Sequence, residues 1–300
     1  VIDGIINVYK EKGFTSHDVV AKLRGILKQK KIGHTGTLDP DAIGVLPICL
    51  GKGTKLCDML TDHNKTYEVV MRLGVTTDTE DMTGTVLTES EVNCTEDEVK
   101  AVIASFIGHM EQIPPMYSAL KVNGRKLYEL AREGKVIERK GRPITIYEIK
   151  ILEMKLPFVR MEVSCSKGTY IRSICRDIGE KLGCGACMDS LIRTRVGQFS
   201  IEESMTLEQI EKKVKEGVLE ETVIGIEEVF ADYPLVHTTE KTDKLVHNGN
   251  PFEKQDLLGA DQENAKEDPL RVYDSKGVFI GIYQYEQQKK KFYPQKMFLS

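Results

Sequence analysis

The spacing of apolar residues changes several times along the chain, and each change marks an element. Gly4–Lys10 alternates loosely and is rich in β-branched residues, which predicts a strand. Thr15, with Asp18 three residues on, opens a capping box, and Val19, Val20, Leu23, Ile26 and Leu27 follow at helical spacing. Residues 33–44 hold Gly, Thr, Asp and Pro with no apolar period, so they predict a loop. It runs into a short apolar segment, 45–50, and a helix near 54–61. Alternation returns at 65–73 and again at 84–88. Thr95 and Glu98 cap an amphipathic helix expected to reach Ile107. Pro114-Pro115 stops any helix, residues 117–122 read as extended, and Asn123-Gly124 signals a turn before a short helix at 126–132. Strands follow at 144–152 and 159–165. After a polar break at 166–169, a helix at 171–182 carries Ile174, Ile178 and Leu182 on one stripe. A strand at 191–199 and a charged helix opened by Thr206 and Gln209 complete this part.

The pattern shifts near residue 230. Beyond it lie Asn248-Gly249, a polar and acidic run at 261–268 that reads as a loose loop, and two β-rich segments flanking Ser275-Lys276-Gly277. Two units are therefore expected, a main body over 1–230 and a small, mainly β module over 231–300. A module of that size can stand alone. Strands and helices in the body do not alternate regularly enough for a doubly wound sheet. The expected class is α+β, with a mixed, mainly antiparallel sheet and flanking helices.

Composition narrows the class of protein. Hydrophobic residues make up 40% of the chain, enough for a sizeable core. No apolar run approaches the roughly 18 residues of a membrane span. The first residues lack the apolar core of a signal peptide, so a cytoplasmic protein without a membrane partner is expected. The sequence opens on Val1 rather than Met, and a few preceding residues are expected. Seven cysteines, an odd number without framework spacing, read as reduced thiols. Cys184 and Cys187 form a lone CxxC without the second ligand pair that structural zinc needs, so no metal is expected. The net charge of −4 hides an asymmetry: residues 119–195 carry 17 Lys and Arg against 9 Asp and Glu, while the remainder is acidic. Such a stretch is either a solvated face or the footprint of a phosphate backbone.

One segment carries candidate chemistry: Gly33-His34-Thr35-Gly36-Thr37-Leu38-Asp39-Pro40-Asp41-Ala42-Ile43-Gly44-Val45-Leu46-Pro47. Its glycines and prolines force an irregular, pre-set backbone, and Pro40 biases Asp39 away from the helical region. Read alone, Asp39 is an acid capping a backbone group in a tight turn. Gly51-Lys52-Gly53-Thr54 lacks the spacing of a phosphate-binding loop, and no Gly-x-Ser-x-Gly elbow is present.

The same segment resembles the signature of the bacterial tRNA pseudouridine-55 synthases, the TruB family of pseudouridine synthases. Lys65-Thr66-Tyr67, Pro114-Pro115-Met116-Tyr117-Ser118-Ala119-Leu120-Lys121 and Lys167-Gly168-Thr169-Tyr170-Ile171-Arg172-Ser173, followed by Asp177-Ile178-Gly179, resemble further family elements in the same order. Ile43 departs from the family's usual Thr or Ser, and Asp41 adds a second carboxylate whose like charge favours an outward orientation. The resemblance implies a pseudouridine synthase fold with a C-terminal PUA-like RNA-binding module.

It also implies an isomerase that breaks the N1–C1′ bond of a uridine in the tRNA T-loop and joins C5 to C1′, with no cofactor. Asp39 is implied as the catalytic nucleophile, Arg172 as the cation that keeps it ionised, and Tyr67 as the ring on the target base. For Asp39, attack at C1′ and assistance of elimination through a glycal both remain open. Tyr170 is implied in the uracil pocket, Lys167 beside it, and His34 against the flipped nucleotide or its vacated place. Lys121 and Arg125, with Lys126, Arg139, Lys140 and Arg142, are candidate contacts to tRNA. A monomer is expected. Two rivals remain, a non-catalytic RNA binder on this scaffold and a synthase for another uridine. The short C-terminal module favours the bacterial tRNA enzyme over larger relatives that work in guide-RNA particles.

The basic stretch predicts that tRNA affinity falls steeply between 50 and 200 mM salt, on the order of a hundredfold or more. Filter binding across that range measures the slope, and a flat response would rule this stretch out as the RNA-contacting surface.

Overall fold

The computed structural model describes residues 1–265 and 269–299. Its main body is a nine-stranded sheet. The path runs Gly4–Lys10, Ile43–Leu50, Ala186–Val196, Lys65–Leu73, Phe158–Cys165, Arg142–Lys155 and Gly108–Gln112. Ile32–His34 adds to Ile43–Leu50, and Phe199–Ser200 adds to Ala186–Val196. Every pairing is antiparallel except one. Ile43–Leu50 meets Ala186–Val196 in parallel through only two register pairs, Ile192 with Ile43 and Arg193 with Gly44. The class is thus α+β with a mainly antiparallel sheet, and this short seam joins its two halves.

The seam is tight. Gly44 has φ +106°, and a Cβ there would lie 2.3 Å from the Arg193 carbonyl oxygen, so only glycine fits. Strand Lys65–Leu73 alternates cleanly, with Lys65, Tyr67, Val69, Met71 and Leu73 buried and the residues between them half-exposed. Helices Glu96–Ala104 and Ile171–Leu182 cover that face, where Val99, Ile103, Ile174 and Ile178 meet Val69, Met71, Val159 and Met161. Helices Ser16–Leu27 and Leu207–Glu216 cover the other half through Val19, Leu23 and Ile210 against Ile6, Val8 and Ile48. The capping boxes at Thr15, Thr95 and Thr206 all form.

A separate four-stranded sheet combines Leu235–His237, Leu270–Tyr273, Phe279–Glu286 and Lys291–Met297. It packs on the body through Ile282 and Phe298, which join Ile5, Val45 and Phe230 in one apolar cluster.

Several elements differ from expectation. The helix from Thr95 stops at Ala104, and Gly108–Gln112 is an edge strand, because its exposed His109 and Glu111 leave no apolar period to read. The strand expected at 191–199 begins at Ala186, so the CxxC enters it: Cys187 is fully buried and all seven cysteines are free. The C-terminal part holds a helix, Glu240–His247, and the polar run begins inside a short helix, Gly259–Asn264, rather than in a loop. Residues 266–268 of that run lie outside the described residues. No helix among the described residues is long and apolar enough to cross a membrane.

Gly44→Ala should cost about 3 kcal/mol, from the positive φ and the carbonyl clash. Gly25→Ala, inside helix Ser16–Leu27 with nothing near its Cβ, should instead stabilise by up to about 1 kcal/mol. Urea unfolding of both variants tests the contrast, and similar effects would show that the seam is not tight.

Candidate active site

The 35–42 loop enters the seam and is tied on several sides. Thr35, fully buried, donates from its amide at 3.2 Å and its hydroxyl at 3.1 Å to the Pro47 carbonyl. Ser16 Oγ accepts the Leu38 amide at 2.9 Å. The Pro40 carbonyl accepts from the Gly13 amide at 2.9 Å and from Lys10 Nζ at 3.0 Å. Asp39 closes a turn by accepting the Ala42 amide at 3.1 Å. Its carbonyl, rather than its side chain, is therefore spent on the turn, and the carboxylate is left for other work.

That carboxylate meets Arg172. Arg172 Nε lies 3.0 Å from Asp39 Oδ2 and Nη2 donates to Oδ1 at 3.2 Å, a two-pronged fit that only a planar guanidinium gives. The arginine side chain is 6% exposed and the aspartate 38%, so the cation is buried beneath a carboxylate that reaches solvent. Arg172 sits in the first turn of helix Ile171–Leu182, where the helix dipole disfavours a cation. Carbonyls of Thr79 and Tyr117, each accepting at 3.0 Å, and Asp81 Oδ2 at 3.7 Å offset that cost. Arg176, one turn on, pairs with Glu80, whose backbone is left-handed at φ 66°. The 79–81 turn thus grips the helix by adjacent arginine positions.

Burial pushes the Asp39 carboxyl above 3.8, and Arg172 opposes the push; Asp81 and Asp41 add to it and Lys10 opposes it. Asp41 itself is exposed. Lys10 is fully buried, which lowers its pKa to about 8.

Tyr67 is 7% exposed, with its ring in the core and its phenol facing Asp39 and Arg193; burial raises it to about 12. Tyr170 caps helix Ile171–Leu182, and Gln112 holds its backbone from both sides, accepting its amide at 2.8 Å and donating to its carbonyl at 3.0 Å. Burial raises the Tyr170 phenol, and Ser118 opposes that. His34 stands edge-on to His17 with ring centroids 5.1 Å apart, its Nδ1 is buried without a partner, and burial lowers its pKa. Asp39, Arg172 and Tyr67 are therefore brought together.

The expected RNA contacts are more dispersed. Lys167 is exposed but pairs with Asp62 at 2.8 Å. Arg125 and Lys121 lie on the hairpin turned by Asn123-Gly124. Lys121 is exposed, whereas Arg125 is engaged by Glu133. A groove of about 500 Å³ lined by His109, Pro143, Thr145 and Lys167 does not include Asp39. Lys10, Asp81, Gln112 and Arg193 were not singled out from sequence. Lys10 was within reach, because it continues the phase of the buried Ile6 and Val8.

Residues 24–171 match the family model described as the TruB family pseudouridylate synthase N-terminal domain, and 172–231 match the tRNA pseudouridylate synthase B C-terminal domain. The chain belongs to the TruB family of pseudouridylate synthases. It is 56% identical to a protein of Lachnoclostridium phytofermentans named tRNA pseudouridine synthase B, over 99% of this chain and 100% of that one. A Clostridium novyi protein of the same name is 48% identical over 94% of this chain and 95% of its own. Among solved structures, one titled as a Cbf5-Nop10-Gar1 complex matches with TM-score 0.74 and 27% identity, covering 99% of this chain and 85% of that one. An H/ACA RNP bound to a substrate RNA containing 2′-deoxyuridine matches with TM-score 0.73 and 25% identity over the same shares. The TruB family junction between residues 171 and 172 falls at the catalytic arginine candidate.

If the ionised Asp39 is the working form, rate falls as pH drops through its pKa, and a raised pKa places that acid limb above the ordinary carboxylate value of about 4. Arg172→Met removes the cation that opposes burial, so it should move the limb further up and cut the rate at pH 7 by about a hundredfold or more. Single-turnover pH profiles of both proteins check the order; a limb that moves down would contradict it.

Proposed function

We propose that this chain converts uridine 55 in the T-loop of tRNA to pseudouridine, with Asp39 as the catalytic carboxylate. The observation that carries the reading is the Asp39–Arg172 fork, a partly exposed carboxylate held by a buried guanidinium. Breaking N1–C1′ and joining C5 to C1′ needs an anionic group beside the sugar that stays charged when water is displaced. Arg172 supplies that charge balance, and no oxidation, reduction or hydrolysis enters the reaction.

A stacked T-loop uridine cannot reach Asp39, so the base is extruded, at roughly a few kcal/mol. His34, with an unpartnered ring nitrogen, is suited to receive the flipped nucleotide or fill its place. Tyr67 and Tyr170 bracket the uracil, while Lys121, Arg125 and Lys167 contact the tRNA backbone. Arg125 and Lys167 would exchange Glu133 and Asp62 for phosphate, which electrostatics allows because those pairs are exposed and weak. Residues 231–300 act as a PUA-like RNA-binding module beside the catalytic unit 1–230. The enzyme works as a cytoplasmic monomer. Support for the substrate comes from the names of the relatives and from the RNA-bound relative.

Tritium release from tRNA labelled at uridine C5 tests this. The parent protein should release tritium, and Asp39→Ala should lose at least about a thousandfold in rate while still folding and binding tRNA. Normal turnover by Asp39→Ala would sink the mechanism. Activity on a tRNA whose T-loop uridine 55 is replaced by cytidine would sink the substrate assignment.

A further inference from the structure

The seam holds a buried cation that no carboxylate among the described residues pairs with. Arg193 is 1% exposed. It donates from Nε to the Val45 carbonyl at 2.8 Å and from Nη2, more weakly, to the Gly36 carbonyl at 3.5 Å. These two carbonyls flank the catalytic loop on either side of Asp39. Arg193 and Tyr67 are direct cross-strand partners, so their side chains leave the same face of the sheet. Among the described residues, the Tyr67 phenol is the group whose charge raises the Arg193 pKa against burial. An unpaired buried guanidinium is costly, and stability alone gives no reason to keep one.

The reaction offers a reason. When N1–C1′ breaks, the electron pair stays on N1. After C5 bonds to C1′, C5 is tetrahedral and still holds its proton, and N1 is part of an N1=C6 double bond. The C5–H bond must then break, its pair forming C5=C6, while the N1=C6 pair moves to N1, which takes up a proton. One phenol can serve both ends. It gives its proton to N1 and, as phenolate, takes the proton from C5. At neutral pH a phenol with a pKa of about 12 starts protonated, as this sequence requires.

The intermediate phenolate needs a counter-charge. Of the titratable groups facing Tyr67, Arg193 favours the phenolate and Asp39 opposes it, while the Cys165 thiol on the neighbouring strand, raised by burial to about 11, stays neutral. Lys65, two residues earlier, spends its ammonium on the carbonyls of Thr61 at 2.8 Å and His63 at 2.7 Å. We propose that Arg193 is the positioning residue for the last proton transfer: it holds the Tyr67 hydroxyl at the seam and balances the phenolate formed between the two proton movements. This rests on the reaction assigned above and adds a named counter-ion to it.

The test is single-turnover conversion of tRNA carrying protium or deuterium at uridine C5, with folding followed by circular dichroism. Arg193→Met should slow conversion by about a hundredfold or more and raise the C5 deuterium isotope effect above the parent's, because C5 deprotonation becomes limiting. Arg193→Lys, which keeps the charge, should recover at least about tenfold of that loss. A slowed variant whose isotope effect equals the parent's would make Arg193 a structural prop and overturn the proposal, as would unimpaired turnover. If Arg193→Met does not fold, the isotope effect of Arg193→Lys decides on the same terms. Normal turnover by Asp39→Ala would overturn the underlying reading, whereas an inactive Asp39→Ala beside a parent-like Arg193→Met would overturn this inference alone.

Discussion

Two antiparallel half-sheets are joined by a parallel contact of two residue pairs, and the candidate active site depends on that join. The parallel partner, Ala186–Val196, lies far along the chain, and Ile43–Leu50 is entered from the irregular loop that follows its antiparallel neighbour Ile32–His34. Gly44 lets the two backbones close to a distance that a Cβ would forbid. The same register sets Arg193 beside both the loop and Tyr67. A looser seam would leave Asp39 on a less constrained loop; this one ties the loop to the sheet at Pro47 and Arg193.

The site concentrates charge where charge is expensive. Lys10, Arg172 and Arg193 are all buried, and Arg172 lies at the wrong end of its helix dipole. Buried ion pairs rarely add net stability against apolar replacements, so this arrangement is poorly explained as a device for folding. It is well explained as a scaffold for one partly exposed carboxylate. Protein carbonyls from Val45, Thr79 and Tyr117 satisfy the arginines without neutralising them, which leaves their charge available to Asp39 and Tyr67.

The second sheet is tied into the same framework. Ile282 and Phe298 pack on residues directly behind the seam, among them Val45 and Cys49, and Lys55 Nζ donates to the Met297 carbonyl at 2.9 Å. An RNA surface on that module would therefore be rigidly referenced to Asp39 rather than hung on a tether.

The sequence by itself determined the local elements, because they rest on short-range rules. The capping boxes at Thr15, Thr95 and Thr206, the strict alternation of Lys65–Leu73 and the Asn123-Gly124 turn need only neighbouring residues to be read. The family was legible too, because five ordered motifs between residues 33 and 179 resemble those of the TruB synthases. The tertiary structure decided what depends on distant partners. Gly108–Gln112 is a strand because Arg142–Lys155 pairs with it, not because of its own polar residues. Arg125 is occupied because Glu133 turns back to it. Arg193, read in sequence as one basic residue of a basic stretch, is buried because register brings Gly44 and Tyr67 to its two sides. Register is a long-range property, set by which strands meet. No window of sequence around residue 193 contains the loop and the phenol that give the arginine its place.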